Sequence, residues 1–326
     1  MRNRVLVLAL LAMMCSTFAA CASEPEPAAE APETTGAAPA APGELPATIV
    51  AERGGFIPEG IEYDPKSNRL LAGSLAEGTI FQIHPDGRVT AAISDAELGS
   101  SVGIEVDEAR DRLLVANSDA SVFQGQGTGQ AKLGAYNLTT GQQLAMVDLS
   151  TAIPNAPADA TYFANDVAVA DDGTAYVTDT MRAAIYRVTP DYQVTLFHQF
   201  PPTEGLALNG IVYHSSGYLL VAGGETLYKV PVDKPAGMTV VKLGQPVAGQ
   251  DGMVWASNGN LVIVSNSASR VVALRSGDDW ASAEVTGVGQ MTGQITTAAV
   301  VGDDIYVVSP HFADADPPSF SRADIQ

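Results

Sequence analysis

Short apolar runs separated by Gly, Ser and Asn clusters recur along this chain, and their length and alternation are those of strands rather than helices. Across residues 209–230 one apolar run stops at Ser215-Ser216-Gly217, a second stops at Gly223-Gly224, and a third follows. The same sentence is written elsewhere. Glu59-Gly-Ile-Glu-Tyr-Asp leads to Arg69-Leu-Leu-Ala, Val102-Gly-Ile-Glu-Val-Asp to Arg112-Leu-Leu-Val, and Asn165-Asp-Val-Ala-Val to Ala175-Tyr-Val-Thr-Asp. Asp251-Gly-Met-Val-Trp leads to Asn260-Leu-Val-Ile-Val, and a partial copy starts at Thr297-Ala-Ala-Val-Val. The second residue of each unit stands at 60, 103, 166, 210, 252 and 298, giving spacings of 43, 63, 44, 42 and 46. Four-stranded propeller blades repeat every ~40–50 residues, so the chain predicts an all-β, six-bladed β-propeller with one insertion of about 20 residues. A lone strand at 47–52 is expected to complete the last blade and remove an exposed edge.

Composition agrees with many turns and few helices: 46% of residues are hydrophobic and 17% charged, with 31 Gly and 20 Pro. The formal net charge of −20 disfavours nucleic acid and anionic membrane as direct partners and suits a cation. Both cysteines, Cys15 and Cys21, precede the repeats, which excludes a disulfide or thiolate site in the folded body. Arg2 and Arg4 ahead of an apolar run have the layout of an export signal that is too short to span a bilayer. Phe18-Ala-Ala-Cys21 resembles a bacterial lipobox, with Cys21 the lipidated residue. The resulting division is a lipoprotein signal peptide at 1–20, an Ala/Pro/Glu-rich disordered tether at 21–46, and the propeller at 47–326. The expected product is an exported monomer, periplasmic or at the cell surface, touching membrane through its lipid anchor alone.

Inner strands of a propeller begin at the central channel, so first residues of successive units converge there. Glu59, Asn165, Asn209 and Asp251 share that phase, with Ser100, Ser101 and Gly103 on the second blade and Thr296 and Thr297 on the sixth. Two carboxylates and two amides are hard oxygen donors suited to Ca²⁺ or another divalent cation, whereas zinc and copper would require His or Cys. Each pair taken singly, Asn-Gly, Asn-Asp or Asp-Gly, is also an ordinary turn former. The segment at 119–160, rich in Gly and Gln and carrying Pro154 and Pro157, is either a lid over the channel mouth or a tolerated surface loop. Asp179 and Asn266 read as turn caps, and Tyr63, Tyr176, Tyr213, Trp255 and Tyr306 as packing between blades.

Phe163-Ala-Asn165-Asp-Val-Ala-Val, Leu208-Asn209-Gly-Ile-Val-Tyr-His and Gln250-Asp251-Gly-Met-Val, together with Glu59, resemble the metal site of the SMP-30/gluconolactonase and paraoxonase-like propellers. The segments are closest to a branch called calcium-dependent phosphotriesterase-like, and the likeness spans about residues 50–315. It implies a Ca²⁺-dependent hydrolase of a small lactone or ester, with Glu59, Asn165, Asn209 and Asp251 holding the ion and Asp251 activating water. The chain departs from sugar lactonases in having Gly103 where they commonly place a polar residue. It also lacks the paraoxonase histidine pair, since His84, His198, His214 and His311 all fall elsewhere; His214 suits a turn, while His311 could face the mouth. The competing reading is a non-catalytic propeller whose Ca²⁺ is structural and whose face binds protein or carbohydrate. Neither a Gly-x-Ser-x-Gly elbow, nor His-Glu-x-x-His, nor a phosphate-cradling loop is present.

Overall fold

A computed structural model describes residues 45–201, 206–312 and 316–326. The signal peptide, Cys21 and nearly all of the tether lie outside the described residues. Strands and turns account for the regular structure, interrupted by short 3₁₀ segments. The strands pair as antiparallel meanders, each running from an inner strand to outer ones. The inner strands are Ile61–Asp64, Ser100–Asp107, Tyr162–Val169, Leu208–His214, Gln250–Trp255 and Ala298–Val301. Each inner strand contacts the next one in chain order, and Ala298–Val301 contacts Ile61–Asp64. The architecture is an all-β propeller. Thr48–Val50 pairs antiparallel with Ser319–Arg322, aligning Ile49 with Phe320 in the same sheet as Ala298–Val301.

The packing repeats that order. Each hydrophobic cluster is shared by two consecutive sheets: Leu71 and Ile80 meet Leu113 and Val115, and Leu114 and Leu133 meet Phe163 and Val177. Another joins Ile49, Tyr306 and Phe320 to Leu70 and Phe81, bringing the last sheet against the first. Side chains on both faces of every sheet therefore point into a core, which explains the continuous apolar runs in the second strands. Tyr176 and Tyr306 are buried in such seams, and the Trp255 indole N–H donates to the Tyr213 carbonyl of the preceding sheet at 2.8 Å. These aromatics serve the packing role read from the sequence. Leu45, ahead of the expected boundary at 47, already packs on the propeller: its side chain is buried, and the Tyr306 hydroxyl lies 2.9 Å from the carbonyls of Leu45 and Pro46.

Residues 119–160 are mostly not a lid. Gly129–Asn137 and Gln143–Asp148 within them are the third and fourth strands of the second meander. Only the stretch around the 3₁₀ turn Ala120–Gln124 borders the channel mouth. The spare length is absorbed there and in a second 3₁₀ turn, Leu149–Ala152, ahead of the third inner strand.

A carboxylate-lined channel as the candidate functional site

Four inner strands carry a register shift at the position where they enter the channel: between Ser101 and Ile104, Ala164 and Val167, Leu208 and Ile211, and Gln250 and Met253. A bulge sets two residues against one and breaks the strict alternation of faces. That is why Asn165 and its neighbour Asp166 both line the same cavity. Strand-to-strand approach is tight at this level. A Cβ on Gly103 would sit 2.4 Å from Asp166 Oδ1 and 2.7 Å from the Asn165 carbonyl, so glycine is required and this position of the second blade offers no side chain. A Cβ on Gly210 would sit 2.3 Å from the Asp251 carbonyl for the same reason.

The four residues singled out in the sequence are brought to this end of the channel. Glu59 and Asn165 line both the channel, a cavity of about 420 Å³, and an adjoining mouth cavity of about 650 Å³. Asn209 lines the channel, while Asp251 is buried beside it and lines neither cavity. The Asn165 amide nitrogen donates to Thr180 Oγ1 at 3.0 Å, and that hydroxyl donates onward to the Leu208 carbonyl at 2.7 Å. This chain fixes the amide orientation and leaves the Asn165 carbonyl oxygen as the end available to a ligand. Asp251 Oδ2 accepts from Asn266 Nδ2 at 2.8 Å, and the Asn209 amide favours the charged form of Asp251. Asp251 Oδ1 is buried with no hydrogen-bond partner.

Electrostatics at the site are one-sided. Burial, then the charges of Asp251 and Asp166, push the Glu59 carboxyl well above the usual range. Burial raises Asp251 to about 7, with Asp166 adding to it and the amides of Asn266 and Asn209 opposing. Asp166 also rises to about 7 through burial, although it accepts the backbone N–H groups of Val167 and Ile211 at 2.9 and 3.1 Å. Further along the channel Glu62 is raised to about 8, mainly by burial, and Glu105 is raised by burial and by the charges of Glu62, Asp166 and Asp107. Lys, Arg and His are missing from the described lining of this channel. Among the described residues no three His, Cys, Asp or Glu side chains are grouped closely enough to hold a metal by themselves. A cation site here needs the amide oxygens as well.

The remaining candidates serve structure. Ser100 Oγ donates to the Leu75 carbonyl at 2.8 Å, Ser101 Oγ donates to the Gly78 carbonyl, and Thr296 Oγ1 donates to the Glu59 carbonyl at 2.7 Å, tying the last sheet to the first. Asp179 caps its turn, Oδ1 accepting the N–H groups of Phe163, Met181 and Arg182 at 3.0 Å each. His214 Nδ1 accepts the Ser216 N–H and its ring stacks on Tyr218, in keeping with a turn role. At the mouth the cavity is lined by Phe312 rather than by His311. Two site residues escape the sequence reading. Asp166 sits at an alternation position that only the bulge redirects, and Asn266, read as a turn cap, instead holds Asp251.

No protein-family model and no curated protein matches the chain. Solved structures do match its fold. The allergen Mala s 1 of Malassezia sympodialis aligns over 86% of this chain and 97% of its own, with a TM-score of 0.71 and 20% identity. Regucalcin, a calcium-binding protein from Agrobacterium tumefaciens C58, aligns over 86% and 95%, with a TM-score of 0.59 and 17% identity. Virginiamycin B lyase from Staphylococcus aureus aligns over 84% and 97%, with a TM-score of 0.55 and 14% identity. The protein is thus of the propeller class, with regucalcin, of the SMP-30 group suggested by the motifs, among its structural neighbours. One fold carries unrelated chemistries, so activity is argued from the site.

Proposed function

We propose that this protein is a Ca²⁺-dependent hydrolase of a small lactone or ester, built on a six-bladed propeller closed by the Thr48–Val50 strand. Support for six blades comes from the cyclic contacts of the inner strands and the core clusters between consecutive sheets. The observation that carries the site is Asp251 Oδ1, a buried carboxylate oxygen without a partner next to Glu59, Asn165 and Asn209. Such an orphan is costly unless a ligand satisfies it. The donor set, two carboxylates and two amide oxygens, fits a hard divalent cation, most naturally Ca²⁺.

Glu59, Asn165, Asn209 and Asp251 would hold the ion. When bound, Ca²⁺ supplies Lewis-acid polarisation of an acyl oxygen. The chain's own residues do the rest. Asn266 fixes the Asp251 carboxylate, which would take a proton from water. Thr180 holds the Asn165 amide so that its oxygen faces the ligand. The test is calorimetric titration of Ca²⁺ together with a lactone and ester panel. Saturable binding and calcium-dependent turnover, both lost in Asp251→Asn, are expected; turnover that is indifferent to chelator would sink the reading.

One observation favours the second reading, a binding propeller with structural Ca²⁺ and a protein or carbohydrate ligand. His84, His198, His214 and His311 are all missing from the linings of the channel and the mouth cavity, so no imidazole assists the carboxylate. Calcium binding without turnover on the panel decides for it. In either case the chain is proposed to be exported as a monomeric lipoprotein tethered through Cys21, which mass spectrometry of the membrane-extracted protein would test.

A further inference from the structure

The mouth cavity has a lining unlike that of the channel. Beside Glu59 and Asn165 it presents Ile57, Leu75, Val102, Phe123, Phe163 and Phe312. Phe163 is buried, but Phe123 is 58% and Phe312 39% exposed, two large aromatic faces left in water at the rim. Phe123 meets Phe163 edge-on, with ring centroids 4.7 Å apart. Two of the polar groups in the lining are engaged within the fold. Asp119 accepts the Ser121 N–H at 2.9 Å, and Ser100 bridges the Leu75 carbonyl and the Ala120 N–H. Lys, Arg and His are all missing from the described lining. A polyhydroxylated ring seated against the three phenylalanines would leave the hydroxyls on that side without partners, which disfavours it. An alkyl or aryl chain would instead cover the exposed rings, in a cavity of the size that small-molecule pockets have.

We infer that this cavity is the tail pocket of the candidate active site: the substrate is a lactone or ester bearing an apolar chain of several carbons, gripped by Phe123, Phe163 and Phe312. The inference rests on the hydrolase reading for its chemistry and on the lining alone for its selectivity. In the reaction the oxygen of water forms the new bond to the acyl carbon. The acyl C–O bond breaks, and the departing oxygen takes a proton to become an alcohol, so a lactone yields one hydroxy acid with no redox change. Glu59 and Asn165, which line both cavities, stand where an acyl group would cross from the tail pocket to the channel.

The test separates the pocket from the chemistry. Binding of 3-heptylcyclopentanone, a ketone with the carbonyl and tail of γ-undecalactone but no bond to hydrolyse, is measured by calorimetry. The full chain and its Phe123→Ala and Phe312→Ala variants are compared, and kcat/KM is measured for γ-undecalactone, γ-butyrolactone and D-glucono-δ-lactone. The pocket predicts ketone binding weakened about fivefold to tenfold by each substitution, and a heptyl-to-unsubstituted kcat/KM ratio that falls by a similar factor. Ketone binding with that sensitivity but no turnover of any lactone retains the apolar pocket and removes the hydrolase reading. Absence of ketone binding, indifference of that binding to both substitutions, or preference for the sugar lactone overturns the inference. Both rings are exposed, so neither truncation threatens the core.

Discussion

Carboxylates removed from open solvent occur at two levels of this propeller and are treated in opposite ways. At the turns leaving the first two inner strands, Asp64 and Asp107 are buried but paired: Arg69 Nε lies 2.9 Å from Asp64, and Arg112 Nε 2.8 Å from Asp107, both arginines coming from the next strand. Arg112 also donates to the Gly173 carbonyl of the neighbouring blade at 2.5 Å, so the pair locks two sheets together. Glu59, Glu62, Glu105 and Asp166 line the channel, with Asp251 buried beside it, and the described lining holds no cationic side chain. The first arrangement neutralises charge inside the fold. The second leaves that task to protons or a bound cation, which is how a binding site differs from a structural ion pair.

Breaking the paired level should have the largest effect. Arg69→Ala leaves Asp64 buried without a charged partner, with an expected loss of about 3–5 kcal/mol and a melting point lower by on the order of 10 °C. A change of under a degree by calorimetry would erase the distinction between the two levels. In the channel, saturating Ca²⁺ at ~100-fold its Kd should stabilise the wild type by about 2.7 kcal/mol, a gain reversed by EGTA and absent in Asp251→Asn. Asn266→Ala keeps every proposed ligand but frees Asp251 from its 2.8 Å partner, and should weaken Ca²⁺ binding by about tenfold in the same titration.

The smallest effect concerns pH. Glu62 titrates far above its unfolded value, at about 8, so the folded state holds a proton that the unfolded chain has lost. Its contribution to stability is complete below the ordinary carboxylate range and is lost as pH rises towards 8. Metal-free wild type should therefore melt lower at pH 8 than at pH 5, and Glu62→Gln should flatten that slope by a few degrees. A Glu62→Gln protein with an unchanged slope would place the pH dependence on another group.

Aromatic side chains offer the same contrast between used and unused surface. Tyr176, Tyr213, Trp255 and Tyr306 were legible as packing because they recur at equivalent strand phases. Phe123 and Phe312 belong to no repeat: one lies on a 3₁₀ turn inside the longest unit and the other beyond the last inner hairpin. Only the ring of sheets brings them to one cavity. The same holds for residues 119–160, whose length suggested a lid although most of it is the second blade itself.

The sequence by itself determined the strands, their repeat, and four oxygen-bearing residues at one phase, because period-two alternation and Gly-bounded runs are local properties of the chain. Tertiary structure alone decided how those residues meet. The bulge that turns Asp166 beside Asn165 appears only when the inner strand is fitted against its partner. Gly103 is explained only by an inner strand arriving from more than sixty residues away in the chain, against which any Cβ would collide. Asn266 becomes a support for Asp251 only where two strands close together. Alternation is written residue by residue, but the charge of a site is set by what the fold places within reach of it, and that is a property of the assembled ring.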